Sequence, residues 1–104
     1  QAIAAAAQTP EGQGQLLTVK NGCIGCHSID GSKLVGPSWL GTYGSTREFA
    51  DGTSAVADDA YIIQSIREPL AHEVAGFSPS TMPPYTALTD EEIANIIAYL
   101  KTLK

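Results

Sequence analysis

The chain has 104 residues, a formal net charge of −5 and a sequence pI of about 4.7. This length suits one domain with one core, and the acidic balance argues against binding to nucleic acid or to an anionic membrane. No apolar run approaches the ~18 residues of a membrane-spanning helix. Because the chain starts at Gln1 without an initiator Met or a basic leader, we expect a mature protein or a piece of a longer one.

The first predicted helix follows an alanine-rich lead-in. Residues 1–8 carry no charge and are too few for a stable isolated helix, so we expect a linker or frayed segment there. Thr9 is a good N-cap and Pro10 suits the first helical position, which predicts a helix to about Asn21. Gly14 falls inside this helix, where a glycine either weakens it or lets another backbone come close.

The next stretch, Cys23-Ile24-Gly25-Cys26-His27, has the C-x-x-C-H pattern of a c-type haem attachment. Two thiols at this spacing can each bond one vinyl group of a porphyrin, and the following histidine can reach the iron. A thioredoxin-like disulfide would need a βαβ pattern, which does not surround the motif. A zinc site would need a fourth ligand as distant as His72. The motif therefore predicts one covalent haem c with His27 on its iron.

The middle of the chain is expected to be loop, then helix. Glycine and proline recur at turn-forming positions over residues 28–44, and residues 45–57 look irregular. Asp58 or Asp59 then caps a helix that ends just before Pro69.

The last helix is the clearest structural prediction. Three prolines in residues 70–88 exclude a long helix there, whereas Thr89-Asp90-Glu91-Glu92 is a capping box. Isoleucine and leucine recur behind the box at helical spacing to the end of the chain. We therefore predict an all-α domain.

The iron would have a second axial position, for which Met82 and His72 are the main candidates. Met82 is the single methionine, and it lies in a proline-rich loop without a helical face that would bury it as core filler. We predict Met82 as the ligand and keep His72 as the alternative, with a lysine or an open site less favoured. A six-coordinate iron leaves no place for a substrate, which indicates electron transfer rather than catalysis.

Several of these motifs together resemble a class I cytochrome c domain over residues 9–104. They are Cys23–His27, Gly36-Pro37, the helix stop at Pro69, and Met82-Pro83. A narrower similarity is to the C-terminal cytochrome c domain of subunit II of caa3-type haem-copper oxygen reductases. It rests on three runs of sequence: Ile66-Arg67-Glu68-Pro69, Val74-Ala75-Gly76-Phe77 and Met82-Pro83-Pro84-Tyr85.

The resemblance implies a fold in which helices wrap around one covalently attached haem c. It implies that the Pro37 carbonyl accepts the His27 ring N–H, and that the first and last helices cross with Gly14 against the Tyr99–Leu100 region. Buried haem propionates need hydrogen-bond donors. The candidate donors are Trp39, Tyr43, Ser80 and Thr81, with plain core packing as the alternative for the two aromatic residues.

The implied function is one-electron transfer from a respiratory redox protein to the dinuclear copper domain of a terminal oxidase. The segment would be tethered to a membrane subunit, in the periplasm or on the outer face of the cytoplasmic membrane. The alternatives are a free-standing soluble cytochrome c, or a haem enzyme or sensor with an open sixth position. Because residues 21–29 and 74–89 carry no charged side chain, we expect an uncharged contact patch at the haem edge.

Overall fold

The computed structural model describes residues 8–77 and 82–104. Within these ranges the chain forms three α-helices and two short strands, in the order α1 (Pro10–Lys20), β1 (Thr46–Glu48), β2 (Ser54–Val56), α2 (Asp59–Arg67) and α3 (Asp90–Leu100). A short 3-10 turn, Cys23–Gly25, follows α1. Among the described helices, none is long and apolar enough to cross a membrane.

Each helix begins at a side-chain cap that the sequence predicts. Thr9 caps α1, and the Asp58 carboxylate caps α2. At α3 the predicted capping box is confirmed, because the Thr89 hydroxyl accepts the Glu92 N–H while the Glu92 carboxylate accepts the Thr89 N–H. These caps satisfy N–H groups that the helices themselves leave unpaired.

The core lies between α3 and the two other helices. Its centre is Ile93, which is 1% exposed. The buried apolar residues of this cluster come from α2, from α3 and from the residue just before the α3 cap: Ile62, Ile66, Leu88, Ile93, Ile96, Ile97 and Leu100.

Helices α1 and α3 cross with their backbones in contact at Gly14. A Cβ atom on Gly14 would lie 1.9 Å from the carbonyl oxygen of Asn95 and 2.9 Å from the Cα of Ile96. The close approach expected at Gly14 is therefore present, but the expected position against Tyr99–Leu100 is wrong by about one turn. The side chain of Asn95 donates to Gln13 across the crossing at 3.3 Å, which fits this register.

A two-stranded hairpin corrects the all-α prediction and the irregular structure expected for residues 45–57. Strands β1 and β2 are antiparallel, with Arg47 opposite Ala55. The turn between them is held by the Asp51 carboxylate, which accepts the Thr53 N–H at 2.9 Å, and by Gly52 at φ 87°. Strands of three mostly exposed residues have no apolar alternation, so the usual sequence signal for a strand is missing.

The helix crossing predicts that Gly14→Ala destabilises the protein. Helix propensity alone would make the alanine variant more stable than the wild type by ~1 kcal/mol. The new methyl group, however, would meet the rigid backbone of α3 at Asn95 and Ile96. Overpacking costs ~1–3 kcal/mol, and a clash at 1.9 Å with backbone belongs at the upper end of that range. After the propensity gain is subtracted, we expect a net loss of up to about 2 kcal/mol in the free energy of unfolding, measured by guanidinium denaturation.

The matched control is Gln15→Ala, an exposed position in the same helix, which should change stability by less than ~0.5 kcal/mol. Equal stability of the Gly14 and Gln15 variants would show that the two backbones do not touch.

Candidate haem site

The motif residues 23–27 form a tight turn that directs three functional side chains to one side. Gly22 enters the turn at φ 72°, a left-handed conformation that favours glycine. The N–H groups of Cys26 and His27 both donate to the Cys23 carbonyl, at 3.2 and 3.1 Å. As a result Cys23, Cys26 and His27 all line the same cavity, and both thiols are free.

This cavity is wide and mostly apolar. Its walls come from the motif, the loop at 35–42, strand β1, helices α2 and α3, residues 69–77 and the segment at 82–88. Counted out to and including its open mouth, the space measures about 1360 Å³. Two free thiols and an imidazole at the wall of such a space suit a large apolar macrocycle that carries a metal.

The His27 ring is held in one orientation by a backbone carbonyl. Its Nδ1 lies 2.8 Å from the Pro37 oxygen, the contact that the resemblance implies. With the proton on Nδ1, this nitrogen donates to Pro37 and Nε2 keeps its lone pair for a metal. Burial lowers the pKa of His27 against the opposing effect of the Pro37 carbonyl, and the charge of Arg47 lowers it further. The imidazole is thus kept in the neutral form that binds metals.

Both candidates for a second ligand line the same cavity. Met82 is half-buried and packs against the core cluster of the helices. His72 is exposed, and its ring stacks on the buried Phe49 with 4.7 Å between ring centroids. The fold brings both side chains to the cavity, so Met82 stays the prediction and His72 the alternative.

The structure describes two of the four residues predicted to bind propionates. Trp39 lines the cavity, whereas Tyr43 is not among the described residues that line it. The Tyr43 hydroxyl donates instead to the Asp59 carboxylate at the start of α2. Ser80 and Thr81 lie outside the described residues.

Arg47 is a cavity residue that the sequence analysis missed. Its side chain reaches the wall from β1 and donates to the Thr42 hydroxyl at 2.7 Å. In the part of the chain that the structure describes, no carboxylate lies within ion-pair distance of this guanidinium. One feature of the sequence could have drawn attention to it, since Arg47 is the single base between Lys33 and Arg67. Its place in the cavity wall could not be predicted, because the hairpin that carries it was not predicted.

The segments that line the cavity expose apolar residues and carry a lysine, and Glu73 lies in the cavity wall as well. Ile24 is 45% exposed and Val35 is 62% exposed, and Pro83 is also exposed. The Lys33 ammonium donates to the Gly76 carbonyl at 2.8 Å and lies 4.8 Å from the centre of the Phe77 ring. The patch expected to be uncharged therefore has Lys33 beside it, which lies outside the two uncharged stretches, residues 21–29 and 74–89.

Comparison with known proteins gives two matches. The family model described as "Cytochrome c" matches residues 12–104. The chain is also 31% identical over 98 residues to a protein named "Cytochrome c oxidase subunit 2" from Alkalihalophilus pseudofirmus. That alignment covers 93% of this chain and 27% of the relative, so the chain spans about a quarter of the length of that protein.

Proposed function

Since the chain belongs to the cytochrome c family, whose domain binds haem c and transfers electrons, we propose that it is a one-electron carrier with one covalent haem and His/Met ligation. The observation that carries this proposal is that Cys23, Cys26, His27 and Met82 line one apolar cavity. When bound, a haem supplies a reversible one-electron couple.

The two cysteines would hold the group by thioether bonds. In each attachment a thiol would add across a vinyl double bond of the haem, with sulfur bonding to one carbon, the proton going to the other and nothing released. Burial raises the pKa of the Cys23 thiol. Cys26 is exposed and carries the second thiol on the same turn.

Axial ligation would come from His27 and Met82, with the cavity tuning the result. A methionine ligand favours ferrous iron and raises the potential of a haem. Apolar walls act in the same direction, because a low-dielectric surrounding disfavours the additional charge of the ferric state. Arg47 is a cation with hydroxyl and carbonyl partners, and it is available to a propionate carboxylate at the wall.

The biological setting that we propose is a terminal oxidase. The relative from Alkalihalophilus pseudofirmus is named as an oxidase subunit, and this chain matches 27% of it. In the proposal, residues 9–104 form the cytochrome c domain of such a subunit and residues 1–8 form a linker. The domain would stand on the outer face of the cytoplasmic membrane and pass electrons from a respiratory redox protein to a dinuclear copper centre.

The alternative is a free-standing soluble carrier with the same haem chemistry. The two differ in what the gene encodes before Gln1, so the upstream coding sequence separates them directly. Membrane spans and a copper-binding domain upstream would support the oxidase proposal, and a secretory signal peptide alone would support the soluble carrier.

Partner docking would use the apolar rim of the cavity. Residues 21–29 and 74–89 contribute no charge to this surface, and Lys33 at its border is held by contacts to Gly76 and Phe77. Electron-transfer encounters are small interfaces, so an apolar rim of this kind suffices without ion pairs. The field of the net charge of −5 is screened within ~8 Å at physiological salt.

Replacement of the proposed sixth ligand tests the haem chemistry. We expect Met82→Ala to remove the sulfur-to-iron charge-transfer band of the ferric protein and to open the iron to carbon monoxide in the ferrous form. The reduction potential should fall on the order of 0.1 V or more, because axial ligands move haem potentials over a range of about 0.8 V. Both are measured by visible spectroscopy during a redox titration.

The control for that experiment is His72→Ala, which should leave the charge-transfer band and the potential near those of the wild type. If the His72 variant loses the band and the Met82 variant keeps it, His72 is the sixth ligand. Carbon monoxide binding by the ferrous wild type at neutral pH would instead favour the haem enzyme or sensor.

Salt dependence and one charged substitution test the docking surface. With a soluble dinuclear-copper fragment of an oxidase as acceptor, we expect the stopped-flow rate of electron transfer to change little with ionic strength. Ile24→Lys should slow the reaction several-fold, because it places a charge at the apolar rim.

Val56→Lys is the matched control, since Val56 is 53% exposed, lies on β2 and gives the same change in net charge. It should leave the rate unchanged. A rate that falls steeply with salt, as for electrostatically steered pairs, or that responds equally to both lysines would rule out an apolar docking surface.

A further inference from the structure

The loop at 36–39 is hydrogen-bonded to the motif on both sides of His27. The Gly36 N–H donates to the Cys26 carbonyl at 2.8 Å, and the Trp39 N–H donates to the Ser28 carbonyl at 2.8 Å. Between these two bonds, the Pro37 carbonyl meets His27 Nδ1. The loop is therefore tied to the segment that carries His27 at three successive points.

Two further contacts limit rotation of the imidazole ring. A Cβ atom on Gly36 would lie 2.6 Å from His27 Cε1, so the backbone of Gly36 sits directly against the ring. The Trp39 indole stacks on the imidazole, with 5.0 Å between centroids and 16° between planes. The imidazole is thus held at three places: Pro37 holds Nδ1, Gly36 lies against Cε1, and Trp39 covers one face of the ring.

From this geometry we propose that Trp39 is a positioning residue that sets the plane of the His27 imidazole and lowers the reduction potential of the iron it binds. The inference rests on the proposed function, in which His27 is an axial ligand. It assigns to Trp39 a role other than propionate binding or core packing.

The expected direction of the potential follows from the charge distribution of the indole. The face of an aromatic ring carries partial negative charge and attracts a cation. An imidazole bound to ferric iron carries more positive charge than one bound to ferrous iron. Trp39 therefore stabilises the ferric state and acts against the effect of Met82.

The test uses Trp39→Leu and Trp39→Phe in the haem-loaded protein. Leucine keeps the site apolar but removes the aromatic face, so the reduction potential should rise. Because the imidazole plane would no longer be fixed, the ferric EPR g-values and the order of the haem-methyl NMR shifts should change. Phenylalanine keeps a smaller face, so the g-values and methyl order should stay near those of the wild type and the potential should rise less. If the leucine variant does not assemble, Trp39→Met gives the same comparison.

Phe49→Leu is the matched control, because the buried Phe49 stacks on the other histidine, His72, at 4.7 Å and 17°. It should reduce stability without changing the g-values, the methyl order or the potential. If the wild type lacks a low-spin His/Met spectrum, the proposed function itself fails. If the wild type has that spectrum but Trp39→Leu keeps its g-values, methyl order and potential, Trp39 does not position His27 and the inference is overturned.

Discussion

The backbone contact between Gly14 and Asn95 determines how the walls of the cavity are placed. Helix α1 ends at Lys20, and the motif begins three residues later, so the position of α1 sets that of Cys23. Helix α3 contributes Ile96 and Leu100 to the cavity wall. A side chain at Gly14 would push α1 and α3 apart and with them the two walls. The packing of α1 against α3 therefore also determines the shape of the cavity.

The segment that carries Met82 is tied to the same frame. The Tyr85 hydroxyl donates to the Asn21 carbonyl at 3.1 Å, at the end of α1, and the Tyr85 N–H donates to the Ile66 carbonyl at 3.0 Å, near the end of α2. These bonds connect the segment after Met82 to both helices. A carrier benefits from such bracing, because an iron site that keeps its geometry in both oxidation states needs little rearrangement at each transfer.

The sequence predicted those parts of the fold that local interactions determine. Thr9, Asp58 and Thr89 each cap a helix through a backbone N–H three residues away, so their positions can be predicted from the sequence alone. The hairpin was missed because it depends on a turn at Asp51-Gly52 rather than on apolar alternation. Gly14 was identified as a point of close approach, but sequence spacing cannot fix the register in which two helices cross.

In the candidate site too, the sequence predicted the features that depend on local chemistry and not those that depend on long-range contacts. The motif at 23–27 could be predicted because haem attachment requires those residue types at a defined spacing, whereas Met82 and His72 remain predicted candidates for the second ligand. The residues around the motif could not be predicted, since their positions depend on contacts between distant parts of the chain. Tyr43 turned to Asp59 rather than to the cavity, Arg47 entered the wall from an unforeseen strand, and Trp39 came to stack on His27.

Covalent attachment at Cys23 and Cys26 is the central claim, and the intact mass of the protein tests it most directly. After production in cells that mature c-type cytochromes, and after extraction with acid–acetone, the chain should have the mass of the polypeptide plus one haem. A thiol-alkylating reagent should then add nothing, because both cysteines would be thioethers. A chain that loses its haem to the solvent and takes up two alkyl groups would contradict the account.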